Sequence, residues 1–226
     1  MPDTLVCVSP HDGFMLQARF ESAQGPRKGA VVVLQEIFGL TRHIDDMCAR
    51  FAQAGYDAIA PGLFERIERD FHADHDAAGI AKGRAAVAAT PWDQMAGDVQ
   101  AAIDWCAARG GGSIFATGFC YGGACACYAA APCDKLSAAS CFYGRLIADL
   151  LDDAPRIPTI LHYGERDPAI PLSDVERVRA AYPSMPIHLY DAGHGFCRRD
   201  SDDFAPAACA AAFGRTVAHF DAHRKG

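Results

Sequence analysis

Long apolar runs are absent from this chain of 226 residues. No segment approaches the roughly 18–20 consecutive apolar residues that a membrane-spanning helix needs, so no membrane span is expected. The opening residues, MPDTL, carry no charged-then-apolar leader, and no secretory signal is read there. Basic excess is also missing. Lys and Arg number 21 against 28 Asp and Glu, a formal net charge of −7, and no basic run occurs, which argues against a nucleic-acid partner. Cysteine is plentiful at ten, but Cys-x-x-Cys spacing is absent and Cys125 and Cys127 lie one residue apart, a poor pattern for a metal site. The chain is far longer than disulfide-dense secreted domains. Most of its cysteines are therefore expected as small buried hydrophobes in a reducing cytoplasm.

What is present is ample apolar content. Half of the residues are hydrophobic and 22% are charged, which suits one globular domain over residues 1–226. Apolar, β-branched runs at 30–34 (AVVVL), 56–60, 113–117, 138–143, 159–163 and 187–190 read as strands buried on both faces. Helical periodicity appears between them, from 41 to near 55 and over 77–89, 92–109, 121–131, 173–182 and 204–223. The glycine run 110–112 breaks one helix, and 63–78 reads as an irregular surface excursion. Residues 5–8 and 15–20 suggest an antiparallel pair at one sheet edge. Strand and helix alternate throughout, predicting an α/β fold with a mostly parallel central sheet and helices on both faces.

In such a sheet, ligands bind beyond the carboxyl ends of the strands. Glu36 follows the first long strand there, Cys120 the next central one, Asp167 the 159–163 strand and His194 the last. GFCYGG, residues 118–123, has the Gly-x-nucleophile-x-Gly form of a strand-to-helix elbow, with cysteine in place of serine. The glycines let the chain turn sharply, and the helix behind directs its N-terminal N–H groups at the sulfur. His194 would serve as base and then acid, with Asp167 fixing its tautomer. Singly, each residue has another reading: a core cysteine in a tight turn, a turn-forming aspartate before proline, a loop histidine, a salt-bridged surface glutamate. Their joint order and placement favour catalysis.

QEIFG at 35–39, GFCYGG at 118–123, GERD at 164–167 and GHGFCR at 193–198 together resemble the dienelactone hydrolase family over nearly the whole chain. The resemblance implies an α/β-hydrolase fold, a Cys-His-Asp triad, and no metal or organic cofactor. The family's best-known members hydrolyse dienelactone (carboxymethylenebutenolide) to maleylacetate. By that resemblance Cys120 is the nucleophile, His194 the base, Asp167 its orienter, and Glu36 the carboxylate that helps turn resting thiol into thiolate. The backbone N–H groups of Ile37 and Tyr121 match the oxyanion-hole positions. Arg198 matches an arginine that binds a substrate carboxylate, for which its planar fork of donors is suited.

The family's second carboxylate-binding arginine has no match at its own position. Arg84 is the nearest helical candidate, with Lys82 and Arg66 behind it, and each equally fits a solvated surface charge. Phe38 and Trp92 are candidates for an apolar wall, and Tyr143 for a lining or loop-capping residue. The reading is a cysteine-dependent hydrolase of a small, anionic lactone or ester, acting as a monomer or weak dimer. Alternatives are a carboxylesterase for unrelated small esters, a non-catalytic small-molecule binder, and a thiol redox protein pairing Cys120 with Cys125 or Cys127.

Overall fold

The computed structural model describes residues 3–110 and 112–225. The start at residues 1–2, the middle of the glycine break and the last residue lie outside them. Among the described residues eight strands form one sheet in the order β1-β2-β4-β3-β5-β6-β7-β8: β1 (Asp3–Val8), β2 (Met15–Glu21), β3 (Gly29–Leu34), β4 (Tyr56–Pro61), β5 (Ile114–Phe119), β6 (Leu136–Phe142), β7 (Thr159–Gly164) and β8 (Ile187–Tyr190). β1 and β2 make the expected antiparallel edge, β2 also pairs antiparallel with β4, and every later pairing is parallel. The pattern follows from burial. β3, β4, β5, β6 and β7 are buried at every position, as their near-continuous apolar runs require, whereas β2 alternates on one face.

Among the described residues six α-helices cover the sheet: α1 (Arg42–Gln53), α2 (Ala77–Ala88), α3 (Trp92–Ala108), α4 (Tyr121–Ala129), α5 (Leu172–Ala181) and α6 (Pro206–Ala222). α1 and α6 meet through Phe51, whose ring lies 4.9 Å from Phe213 and 6.1 Å from Phe220. Phe220 in turn stacks on Phe115 of β5 at 4.5 Å. The fully buried rings of Phe51, Phe115 and Phe220 each contribute about 1.5–3 kcal/mol of apolar burial. α3 and α4 pack on each other and on β3 and β5. No helix among the described residues is long and apolar enough to cross a membrane.

The order places the crevice. From β3 the chain moves outward to β4, then returns across β3 to start β5 and continues the other way to β6, β7 and β8. Adjacent β3 and β5 therefore send their exits to opposite sides, which opens a gap at their carboxyl ends. The residues that leave into that gap are Gln35–Phe38 from β3 and Cys120 from β5.

Candidate active site

The elbow is built by close backbone approach. A Cβ on Gly118 would lie 1.9 Å from the Gly122 carbonyl oxygen, and one on Gly122 would lie 2.2 Å from that of Leu34. Neither gap admits a side chain, so α4 starts directly against β3 and β5. Cys120 takes the strain, with φ 54° and ψ −113°, a conformation costing about 1–3 kcal/mol for a non-glycine residue. Its N–H donates to the Phe142 carbonyl at 3.1 Å, and its carbonyl accepts from Gly123 at 3.0 Å. Its side chain is partly exposed in a cavity of about 840 Å³. Tyr121, the first residue of α4, has a backbone N–H without an intrahelical acceptor, and Ile37 lines the same cavity.

His194 follows β8 and reaches the cavity beside Cys120. Its Nδ1 lies 2.6 Å from Asp167 Oδ2, and the Asp167 side chain is wholly buried after β7. Asp167 Oδ1 accepts from the Ala169 N–H at 2.7 Å, which locks the carboxylate's orientation. Burial pulls the His194 pKa down, but the Asp167 hydrogen bond and the Cys120 sulfur outweigh it and raise it from 6.5 to about 10. The ring is therefore a strong proton holder while both partners stand beside it. This constellation can pass a proton between sulfur, ring and a bound oxygen.

Glu36 is 1% exposed, and its Oε2 has no hydrogen-bond partner among the described residues. Arg198 Nη1 lies 3.6 Å from that oxygen, and Arg198 Nε lies 3.3 Å from Asp200. The guanidinium also sits 5.4 Å from the Phe38 ring centroid. Arg198 is thus held at the cavity wall by two carboxylates and a ring face. Behind Glu36, the buried Gln35 side chain accepts from the Leu63 N–H at 3.1 Å and ties this turn to the end of β4. Gly39, in the left-handed region at φ 88°, closes the turn where a Cβ would meet the Phe71 carbonyl at 2.2 Å.

The remaining expectations divide. Arg84 lines the cavity from α2, one turn from Ile80 and on the same face as Val87, and is exposed with no ion-pair partner among the described residues. Arg66 does not reach the cavity: it pairs with Asp12 and Asp98, each at 2.7 Å. Lys82 pairs with Glu68 at 2.9 Å. Phe38 lines the cavity, whereas Trp92 packs between Tyr121 and Tyr128 instead. Tyr143 neither lines the cavity nor caps an exposed loop. It is fully buried, its ring 5.2 Å from that of His194, so it backs the imidazole from below the surface. Cys125 is fully buried in α4 and does not line the cavity.

Arg145 was not anticipated. It opens the short 3₁₀ turn Arg145–Asp149 just past β6 and faces the cavity, exposed. Its place beyond a strand's carboxyl end was the available signal.

A switch-point crevice with a strained cysteine elbow after β5 and an aspartate–histidine pair after β7 and β8 defines an α/β-hydrolase. The comparisons with known proteins go further. The dienelactone hydrolase family model matches residues 16–224, and the chain belongs to that family. An Escherichia coli (strain K12) protein provisionally named a carboxymethylenebutenolidase is 36% identical over 212 residues, 86% of this chain and 75% of that one. A carboxymethylenebutenolidase from Pseudomonas sp. (strain P51) is 28% identical over 86% of both chains. The crystal structure of a Klebsiella pneumoniae protein, provisionally named a dienelactone hydrolase, superposes with a TM-score of 0.82 at 30% identity, covering 97% of this chain and 98% of that one. The protein is thus a hydrolase of the dienelactone hydrolase type, acting on esters or lactones.

Proposed function

We propose that this chain opens a small, carboxylate-bearing lactone or ester by cysteine nucleophilic catalysis. The observation that carries the reading is the strained Cys120 facing the same cavity as the His194–Asp167 pair, 2.6 Å apart, with buried Glu36 beside them. The thiol proton passes to Glu36 Oε2, which has no hydrogen-bond partner among the described residues, and this leaves the nucleophilic thiolate beside a protonated His194. The sulfur attacks the acyl carbon, and the Ile37 and Tyr121 N–H groups hold the tetrahedral oxyanion. Collapse breaks the ester C–O bond, and His194 protonates the departing oxygen.

The raised His194 pKa supports the second half of the cycle. Once the sulfur is acylated it no longer carries the charge that helps hold the proton on the ring. Having given its proton to the departing oxygen, the imidazole is neutral and serves as base toward water, which hydrolyses the thioester, and the released thiolate takes back the proton held on Glu36. Arg198 orients the substrate carboxylate.

The test uses Cys120→Ala with small activated esters, together with mass spectrometry of the wild type quenched during turnover. Loss of activity and an acyl adduct on Cys120 are expected. Full activity in Cys120→Ala would sink the proposal.

A further inference from the structure

A second cavity, of about 200 Å³, shares no lining residue with the first. The segment after His194 runs between them: Arg198 lines the large cavity, while its neighbours Cys197 and Arg199 line the small one. Across the small cavity stands Cys209, in the first turns of α6. Backbone contacts keep the two segments together, since the Ala205 N–H donates to the Phe196 carbonyl at 3.1 Å and the Cys209 N–H to that of Ala205 at 2.9 Å.

Arg50, in the last turn of α1, is committed to sulfur. Its Nη1 lies 3.2 Å from Cys209 Sγ and 3.8 Å from Met47 Sδ, and its guanidinium rests 4.1 Å from the Phe213 ring centroid. Among the described residues no carboxylate forms an ion pair with it. A half-buried cation given to a thiol rather than to an acid stabilises that sulfur as an anion. Cys197 lines the same small cavity as this sulfur. Seven other thiols make the contrast: burial pushes Cys7, Cys48, Cys106, Cys125, Cys133, Cys141 and Cys197 upward, whereas Cys197 and the Arg50 guanidinium beside it hold Cys209 below its ordinary value.

We propose that Cys209, set against Cys197 and Arg50 on this small cavity, is a peroxide-reactive site that closes a Cys197–Cys209 disulfide. The thiolate of Cys209 attacks the peroxide oxygen, the O–O bond breaks, and hydroxide or alkoxide leaves, taking a proton from solvent, as sulfur is oxidised to sulfenic acid. The Cys197 sulfur then attacks Cys209, forming the S–S bond and expelling hydroxide, which takes the Cys197 proton and leaves as water. A disulfide sulfur pair is about 2.05 Å apart, so closure draws Cys197, the residue before Arg198, against α6. The site is independent of the function proposed for Cys120.

Hydrogen peroxide at a few equivalents, then maleimide alkylation in denaturant and digestion, reads the outcome by mass spectrometry. The expected product is a joined Cys197–Cys209 peptide pair lacking two hydrogens. In Cys197→Ser, dimedone should instead label Cys209. Arg50→Gln should slow closure about tenfold, the equivalent of about 1.4 kcal/mol for one lost charge-assisted hydrogen bond. The inference is overturned if both cysteines of the wild type remain alkylated by maleimide after Cys120 has been oxidised. It is equally overturned if dimedone labels Cys197 rather than Cys209 in the matching single variants.

Discussion

Replacing Asp167 with Asn probes the centre of the site with almost no change of shape. The carboxylate lies 2.6 Å from His194 Nδ1 and is wholly buried, so water does not screen the pair from that side. A charge-assisted hydrogen bond of this kind contributes about 1.5–3 kcal/mol, which corresponds to about one to two pKa units on the imidazole. The His194 midpoint should therefore fall from about 10 toward about 8–9, with the Cys120 sulfur still holding it above 6.5. An asparagine amide can also face Nδ1 as a donor and force the proton onto Nε2, where the ring cannot act as a base. A loss of about 10³–10⁴-fold in kcat is expected on that ground. Stability should respond with a definite sign. The folded value of His194 lies above its ordinary 6.5, so the ion pair stabilises fully below about pH 6.5 and is lost as pH climbs through about 10. The stability gap between wild type and Asp167→Asn should narrow over that range. NMR titration of the histidine, pH-dependent denaturation and ester turnover read the three effects. An unchanged midpoint in Asp167→Asn would refute the coupling between these residues.

Gly118→Ala drives a methyl group to within 1.9 Å of the Gly122 carbonyl and should cost about 3 kcal/mol or more in chemical denaturation; a loss under 1 kcal/mol would contradict the elbow packing. Arg198→Ala should raise KM for carboxylate-bearing esters by about 10–100-fold and leave neutral esters much less affected. Comparable losses on both substrate classes would remove Arg198 from the carboxylate-binding role.

The parallel strands were legible because burial on both faces leaves near-continuous apolar runs such as AVVVL, and the helices because their periodic faces are strong. The edge pair was legible from the spacing of its two short strands. Harder were residues whose duty depends on direction. Tyr143 follows β6 directly and reads as a lining residue, but its backbone, at φ 37°, sends the ring into the core behind His194. Arg66 and Arg84 share one basic-looking segment. Asp12 and Asp98, distant in sequence, claim the first, and α2 carries the second to the cavity.

The sequence by itself determined the layered architecture and the order in which Glu36, Cys120, Asp167 and His194 leave their strands. Hydrophobic periodicity and glycine spacing are local properties and can be read along one dimension. The tertiary structure alone decided that β3 and β5 are neighbours, that Glu36 Oε2 stands without a hydrogen-bond partner among the described residues, and that Cys197 and Arg198 face different cavities. Those facts arise from contacts between segments far apart in the chain, where a single side-chain direction assigns a residue to a cavity or to the core.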